Sequence, residues 1–311
     1  MSDFLQQMAA VSRERLQAAR RDISEPALLQ KALGTPPPPH LTANAARFDL
    51  IAELKLRSPA VGQLKSSGED IPGRVTAYAK AGAAAVSVLT EPSRFDGSMT
   101  HLEAAASSLA PLKVPAMRKD FLVDPFQVIE ARAAGAGGVL VILRMLSRSG
   151  IDELLDCARN LGLFVLLEAF DAADIETMHG IIDAGMERGT VANTSAAPLL
   201  VGLNCRDLAT LRIVPGRLIE LAHLLPANVP RVAESGVASP DDAARVAAAG
   251  YEYALVGSAL MQGDDPHSLA AAMLKAGRAA ASACDGALAR GGVSSPDSAP
   301  ASNAQNLGRR T

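Results

Sequence analysis

The segment LFVLLE, residues 163–168, consists of five apolar residues followed by one carboxylate. Its apolar residues are continuous and do not alternate with polar ones, and the run has the length of a strand. Strands that are buried on both faces have this composition, as in a parallel sheet covered by helices. The segment therefore predicts a buried parallel β-strand that carries a polar group at its carboxyl end.

Similar apolar runs recur about eight times, and a stretch with helical spacing follows each of them. The runs are Leu50–Leu56, Ala84–Leu89, Val114–Arg118, Gly138–Leu143, Phe164–Glu168, Leu199–Asn204, Arg231–Glu234 and Tyr253–Gly257. Strict alternation of strand and helix is typical of an α/β fold. A count of about eight favours a single (β/α)8 TIM barrel, and a doubly wound open sheet is the main alternative.

Two flanking segments lie outside the repeat. Residues 1–40 predict an N-terminal helical extension, which ends at the prolines of residues 36–39 because proline removes a backbone donor. The barrel then occupies residues 41–280. Residues 281–311 are rich in Ser, Gly, Pro and Ala, and we expect a disordered tail. The connection from Gly180 to Pro198 is expected to be long and irregular, at the barrel end opposite the active site.

Composition excludes several classes of partner and site. The net charge of -3 gives no reason to expect nucleic acid or an anionic membrane as a partner. The three cysteines lie far apart, without metal-ligand spacing or a disulfide framework, so we expect no metal site and a reducing compartment. No stretch reaches the roughly 18 apolar residues of a membrane helix, and the N-terminus lacks the core of a signal peptide. We therefore expect a cytoplasmic location.

Polar residues cluster at the carboxyl ends of the apolar runs. In a (β/α)8 barrel these ends form one rim, where the active site is built, so the fold would bring distant residues together. The residues are Lys55, Ser58, Lys119, Glu168, Asn204, Arg206, Glu234, Ser235, Gly236, Gly257 and Ser258. This arrangement predicts an enzyme.

Four residues are candidates for the acid–base chemistry. Glu53 and Lys55 are two apart in a strand and share a face, so they form a buried pair with shifted pKa values or an exposed pair on an edge strand. Lys119 is a proton donor, a Schiff-base nucleophile, an anion anchor or plain loop surface. Glu168 is a buried acid–base group or a solvated strand end.

The remaining rim residues are candidates for substrate binding. Asn204 and Arg206 suit a polar or anionic substrate, unless Arg206 forms a structural ion pair with Asp207. The tripeptide Glu234–Gly236 and the dipeptide Gly257–Ser258 end the seventh and eighth runs. Loops at these two places bind phosphate in many such barrels, although each sequence alone is typical of an ordinary turn.

Seven segments together resemble the indole-3-glycerol-phosphate synthase family of tryptophan biosynthesis. In chain order they are IAELKLRSPAVG, AAAVSVLTEPSRFDGS, RKDFLVDPFQVIEARAAGA, VLLEAFD, VGLNCRDLATLRI, VAESGV and LVGSALM. The resemblance covers roughly residues 1–280. It implies a lyase that converts 1-(2-carboxyphenylamino)-1-deoxyribulose 5-phosphate to indole-3-glycerol phosphate with loss of carbon dioxide and water, without metal or cofactor.

The resemblance also implies roles for individual residues. Lys119 is expected to protonate the substrate carbonyl, Lys55 to pair with the anthranilate carboxylate and donate a second proton, and Glu168 to act as base or acid in the dehydration. The other implied positions hold and tune these groups (Glu53, Asn204, Glu234), contact the substrate (Ser58, Phe95, Phe121, Arg206, Ser235) or cradle its phosphate (Gly236, Gly257, Ser258).

The chain departs from the family's usual pattern in the first loop. Many members have a second basic residue where this chain has Leu56, and SPSKG where it reads SPAVG at residues 58–62. This loop is therefore expected to close differently.

Three alternatives remain at this point. A phosphoribosylanthranilate isomerase would need a cysteine–aspartate pair at strand ends, and no run ends in one. A repurposed, inactive paralogue would have no need of Lys119 or Glu168. An interaction module would use the tail and the 180–198 connection. For an enzyme, we expect a monomer or weak homo-oligomer with a small phosphorylated substrate, and other tryptophan-pathway enzymes as candidate partners.

Overall fold

Eight parallel strands close into a barrel in a computed structural model, which describes residues 3–42, 47–66, 68–188 and 198–291 of the 311. Each strand pairs with the next along the chain and the eighth pairs with the first. The single (β/α)8 barrel is thereby confirmed, and the open sheet is excluded. Strands β1–β8 are Asp49–Leu54, Ala85–Leu89, Ala116–Lys119, Gly138–Ile142, Phe164–Ala169, Leu199–Asn204, Arg231–Glu234 and Tyr253–Val256.

Alternate residues of each strand point to the barrel interior, and the others pack outward against helices. Interior side chains such as Ile51, Leu166 and Leu255 form one buried cluster, whereas Leu50 belongs to the outer cluster. Because both faces of each strand are buried, the apolar runs are continuous. Gly138 shows how tightly the interior is packed, since a Cβ there would lie 2.4 Å from the Phe164 ring.

Helices follow the strands on the outside of the barrel. Side chains cap two of these helices at their starts, since the Asp124 side chain caps one helix and Ser239 forms a capping box with Asp242 at another. Helices α1–α12 are Asp3–Asp22, Glu25–Gly34, Ile71–Lys80, Pro92–Phe95, Met99–Leu109, Pro125–Ala133, Arg148–Asn160, Ala172–Glu187, Arg217–Glu220, Pro240–Ala248, Ser258–Gln262 and Pro266–Gly291.

The N-terminal extension consists of α1 and α2, and α1 packs against the barrel next to the loop that follows β3. Leu5 and Met8 of α1 are buried in the same cluster as the barrel interior. Arg15 donates two hydrogen bonds to the Asp120 carboxylate, at 2.7 and 2.8 Å. Helix α1 therefore lies at the carboxyl-terminal rim of the barrel, next to the loop that begins after Lys119.

Two segments differ from the sequence expectations. Helix α8 continues to Glu187 and so includes the first eight residues of the 180–198 stretch that was expected to be irregular, because Ile181 and Ile182 extend its buried face. Helix α12 continues past residue 280 into the expected tail, where alanine, the strongest helix former, is frequent. The rest of both segments, residues 189–197 and 292–311, lies outside the described residues.

Within the described ranges, no helix has both the length and the apolar character needed to cross a membrane.

Candidate active site

One cavity of about 280 Å³ opens at the carboxyl ends of the strands. All of the residues that the sequence singled out for the site line it: Glu53, Lys55, Ser58, Phe95, Lys119, Phe121, Glu168, Asn204, Arg206, Glu234, Ser235, Gly236, Gly257 and Ser258. The parallel barrel produces this convergence, since it places the carboxyl ends of all eight strands on one rim.

Lys119 ends β3 and lies between two buried carboxylates. Its Nζ is 3.1 Å from Glu234 Oε2 and 3.6 Å from Glu168 Oε1. Burial alone would lower the pKa of Lys119, but the two carboxylates outweigh it and the pKa is raised. The lysine is therefore held as an ammonium ion inside the barrel, and the alternative of plain loop surface is wrong.

The pKa of Glu234, at the end of β7, lies above that of an ordinary carboxyl group. Burial and the neighbouring charge of Glu168 raise the pKa of Glu234 to about 8, although Lys119 opposes the shift. Its Oε1 has no hydrogen-bond partner among the described residues. The site thus holds an ammonium ion beside a carboxyl group that ionises near neutral pH, a combination suited to proton transfer.

The protonation of Glu234 makes a testable contribution to stability. Between about pH 4.5 and pH 8 the folded protein binds a proton at Glu234 that the unfolded chain releases, so stability falls as the pH rises through this window. Urea unfolding at several pH values should therefore show a steeper decline for the wild type than for Glu234→Gln. Glu103→Gln, at an exposed position of α5, is the control and should retain the wild-type slope. Equal slopes for the wild type and Glu234→Gln would contradict this account.

Glu168 is oriented by the amide of Asn204 on the next strand. Asn204 Nδ2 donates to Glu168 Oε1 at 2.7 Å, and Asn204 Oδ1 accepts from the backbone N–H of Arg206 at 2.9 Å. The second bond fixes which end of the amide faces Glu168. Glu168 is 2 % exposed, so it is a buried group and not a solvated strand end.

Glu53 and Lys55 form a second charged pair at the end of β1. Lys55 Nζ donates to Glu53 Oε1 at 2.5 Å, and Glu53 is buried. Burial would raise the pKa of Glu53, but the charges of Lys55 and Lys119 lower it overall. The alternative of an exposed edge-strand pair is therefore wrong. The Glu53 carboxylate is buried inside the barrel, and its partner Lys55 lines the cavity.

Aromatic side chains form one wall of the cavity. The rings of Phe95 and Phe121 have centroids 6.1 Å apart, and Phe4 of α1 meets Phe121 edge-on at 5.9 Å. Phe4 also lines the cavity but was missed by the sequence analysis. Helical spacing alone does not reveal which part of the barrel an appended helix covers, so no signal in the sequence pointed to it.

The opposite part of the cavity is built from backbone and small residues. Ser235 and Gly236 after β7 have positive φ angles of 65° and 73°. Gly257 precedes the short helix α11, whose first turn has no side-chain cap. Backbone N–H groups at such turns and helix starts bind anions. This is the region where the sequence predicted a phosphate cradle.

Arg206 belongs to a loop that contributes several side chains to the cavity lining. Its Nη1 donates to the backbone carbonyl of Leu211 at 2.7 Å, whereas the Asp207 carboxylate accepts from Thr210. Arg206 and Asp207 therefore have different partners, and the structural ion pair that was the alternative is not formed. Leu208 and Leu211 of the same loop line the cavity as well, and both were missed by the sequence analysis.

The unusual first loop forms a small hairpin at the edge of the cavity. Arg57–Ser58 pairs with Gly62–Gln63, and the backbone carbonyl of Leu56 accepts from the N–H groups of Leu64 and Lys65. The Leu56 side chain is buried in the outer core. Leu56 thus anchors the loop by apolar packing.

Within the described part of the chain, no group of three or more His, Cys, Asp or Glu side chains is arranged to hold a metal ion.

Comparisons with known proteins agree with this geometry. The family model described as "Indole-3-glycerol phosphate synthase" matches residues 5–273. The indole-3-glycerol phosphate synthase of a Parafrankia species is 38% identical over 264 residues, which covers 84% of this chain and 91% of that protein. The enzyme of the same name from a Nocardioides species is 39% identical, with coverages of 85% and 90%.

The solved structures show the fold alone. The structure of 3-hexulose-6-phosphate synthase from Salmonella typhimurium is 16% identical and has a TM-score of 0.54, covering 74% of this chain and 98% of that one. Thiamine phosphate pyrophosphorylase from Pyrococcus furiosus is 15% identical with a TM-score of 0.53, covering 76% and 99%. The family match over almost the whole barrel, together with the two close relatives, shows that the chain belongs to the indole-3-glycerol phosphate synthase family.

Proposed function

We propose that this chain converts 1-(2-carboxyphenylamino)-1-deoxyribulose 5-phosphate to indole-3-glycerol phosphate. The observation that carries the proposal is Lys119, an ammonium ion held between Glu168 and Glu234 in a cavity with an aromatic wall on one side and backbone donors on the other. A substrate with an aromatic ring at one end, a phosphate at the other and a carbonyl between them fits these three features.

Binding orients the two ends of the substrate. The backbone near Gly236, Gly257 and Ser258 holds the phosphate, and the rings of Phe95 and Phe121 enclose the anthranilate ring. Lys55 pairs with the anthranilate carboxylate. Contacts at both ends place the carbonyl at the lysine, so binding energy remote from the reaction supplies the orientation.

Ring closure forms a bond between the carbonyl carbon and the ring carbon that bears the carboxylate. Lys119 donates a proton to the carbonyl oxygen, which becomes a hydroxyl group. Carbon dioxide then leaves from the same ring carbon, and the electron pair of the broken bond restores the aromatic ring. The buried ammonium ion of Lys119 stabilises the negative charge that develops on the oxygen.

Dehydration completes the reaction. The hydroxyl group leaves as water with a proton from Lys55, and Glu168 accepts a proton from the neighbouring carbon of the former ribulose chain. Asn204 and Glu234 hold Glu168 and Lys119 in place through the hydrogen bonds described above.

The direct test is to mix the purified chain with the substrate and follow the indole product spectroscopically. Turnover that is lost in Lys119→Ala would establish the reaction and its site. An absence of turnover with retained binding of a phosphorylated analogue would favour the second candidate, an inactive paralogue, and would direct attention to the Leu56 hairpin.

The phosphate cradle makes a separate prediction. Gly236→Asp is expected to raise KM by about 100-fold, because it adds bulk and a negative charge where the phosphate binds. A Cβ at Gly236 would also lie 2.8 Å from Cys205 Sγ, at a φ of 73°. Steady-state kinetics and calorimetry with glycerol 3-phosphate would measure the effect.

Gly250→Asp is the matched control for this variant. Gly250 also has a positive φ, of 92°, but it lies before β8, at the other end of the barrel. The Gly250→Asp substitution introduces the same charge and comparable backbone strain away from the cavity. The KM of this variant should therefore stay near that of the wild type. If Gly236→Asp and the wild type bound glycerol 3-phosphate with equal affinity, the phosphate would not bind at Gly236.

We also propose that the enzyme acts in the cytoplasm as a monomer or weak homo-oligomer. Cys157 and Cys205 are free thiols, which suits a reducing compartment. Among the described residues, two of the exposed large apolar side chains, Val61 and Ile213, line the cavity. The others, Leu33, Leu112, Met186 and Ile219, lie on different elements and do not suggest one extensive apolar interface. Sedimentation analysis over a range of concentrations would test the oligomeric state.

A further inference from the structure

Phe170 is an aromatic residue of the cavity to which the proposed mechanism gives no role. It follows β5 directly and lies two residues after Glu168, so the extended chain directs both side chains to the same side. The Phe170 side chain lines the cavity and the residue is only 3 % exposed. It thus lies at the cavity wall beside the carboxylate proposed for dehydration.

An arginine on the neighbouring strand end holds the Phe170 ring. The guanidinium carbon of Arg144 lies 4.8 Å from the ring centroid. Arg144 Nε donates to Asp174 Oδ2 at 2.9 Å and its Nη2 donates to Asp171 Oδ2 at 2.6 Å. Because two carboxylates already bind this cation, its position favours a role as a support for the ring.

The backbone of Phe170 is fixed by the same group. Its N–H donates to Asp174 Oδ2 at 2.8 Å, so one carboxylate binds both the Phe170 backbone and the cation stacked on the Phe170 ring. Asp174 lies in the first turn of α8 and is itself held there. The ring therefore forms a preorganised wall and does not behave as a freely rotating side chain.

The wall stands where the apolar part of the cavity meets the acid–base groups. Ile142 on β4 is paired in register with Glu168 on β5 and lines the cavity. Phe170 and Phe121 belong to the same buried apolar cluster. An aromatic ring enclosed by Phe95 and Phe121 would accordingly meet Phe170 on the side that faces Glu168.

We propose that Phe170 is a specificity-determining residue that limits the size of the aromatic ring this enzyme accepts. The inference rests on the proposed function. The fixed ring of Phe170 excludes N-aryl aminodeoxyribulose phosphates that carry a substituent on the ring edge facing Glu168, and it admits the unsubstituted anthranilate compound. A packed, supported wall can discriminate in this way because it cannot yield to an added methyl group without losing the Arg144 stack.

The test compares the unsubstituted substrate with a set of ring-methylated substrates, one for each free ring position. The quantity compared is kcat/KM for a methylated substrate divided by kcat/KM for the unsubstituted substrate. For at least one methylated substrate, Phe170→Ala is expected to raise this ratio by about tenfold or more. Arg144→Leu, which removes the support but keeps the ring, is expected to raise the same ratio by less. A ratio that stays at the wild-type value for every ring position in Phe170→Ala would overturn the proposal.

Phe126→Ala is the matched control. Phe126 of α6 is also buried and also lies under an arginine, with the guanidinium carbon of Arg20 at 5.3 Å from its centroid, but it does not line the cavity. Its loss should lower stability without changing the substrate ratio. If the ratio rose equally in Phe126→Ala, the effect would come from a general loss of packing. That result would contradict the role proposed for Phe170.

Calorimetry with the carbonyl-reduced forms of the same compounds separates this inference from the proposed function. These analogues bind without reacting, so the preference between methylated and unsubstituted rings can be measured even if the wild type shows no turnover. Absent turnover would contradict the proposed function alone. An unchanged binding preference in Phe170→Ala would contradict the role of Phe170.

Discussion

Lys119→Ala is expected to lower kcat by about 1000-fold or more while the affinity for a non-reacting substrate analogue stays within a few fold of the wild type. The lysine supplies both the proton for the carbonyl oxygen and the positive charge beside it. Neither alanine nor water in the vacated space reproduces a fixed ammonium ion between Glu168 and Glu234. Binding depends mainly on the two ends of the substrate, which the substitution does not touch.

The same substitution removes the cation that compensates two buried carboxylates. Losing one partner of a buried ion pair typically costs about 3–5 kcal/mol. Part of that cost is avoided here, because the pKa of Glu234 is already raised and the residue can keep its proton. We therefore expect a folded protein with a lower unfolding temperature, and kcat should be calculated per analogue-binding site so that unfolded protein is not counted as lost catalysis.

Lys80→Ala is the control for Lys119→Ala. Lys80 is the last residue of α3 and is exposed, so its loss should change neither kcat nor analogue affinity appreciably. Turnover by Lys119→Ala close to that of the wild type would show that another group protonates the carbonyl. Lys55 would then be the first candidate, since its Nζ is the other ammonium group that lines the cavity.

The barrel was predictable because each of its strands has a sequence pattern that can be recognised in a short segment of the chain. A strand with two buried faces needs a continuous apolar run, and a polar residue at the end of such a run stands out, as Lys119, Glu168 and Asn204 do. Closure of the strands then determines that these residues meet. The order of strand and rim residue along the chain is thus enough to predict which polar strand-end residues line the cavity.

Contacts between elements distant in sequence were not predictable in this way. Phe4 reaches the aromatic wall only because α1 packs across the rim, and Phe170 becomes a rigid wall only because Arg144 and Asp174 meet around it. The continuation of α8 past Gly180 was missed for a different reason. A glycine and the polar residues after it suggested a loop, whereas burial of Ile181 and Ile182 decided in favour of the helix.

Gly202 is the clearest example of a residue whose importance only the assembled barrel reveals. It lies within the apolar run of β6, where a glycine would weaken the strand for no visible reason. A Cβ at this position would lie 2.2 Å from Glu234 Oε1 on the adjacent strand and 3.0 Å from Leu166 Cδ1. The missing side chain leaves the space that the Glu234 carboxyl group occupies.

Gly202→Ala is accordingly expected to lower kcat by about 100-fold, since a displacement of about 1 Å in a positioned group costs that much. The added methyl group forces the Glu234 carboxyl group away from its position 3.1 Å from Lys119 Nζ. Because the obstructing atom is the end of a side chain and not backbone, the barrel can accommodate the change, and we expect only a small decrease in unfolding temperature. Kinetics and thermal unfolding should be measured on the same preparation.

Gly34→Ala provides the comparison for this variant. Gly34 ends α2, and no atom lies within 4 Å of a Cβ built there, so this substitution should leave kcat unchanged. Full activity in Gly202→Ala would show that Glu234 has no positional role toward Lys119. Loss of activity together with a large loss of stability would mean that Gly202 is required for packing of the barrel. The expected combination, low kcat with a nearly normal unfolding temperature, arises only if the methyl group displaces the carboxyl group that Lys119 needs.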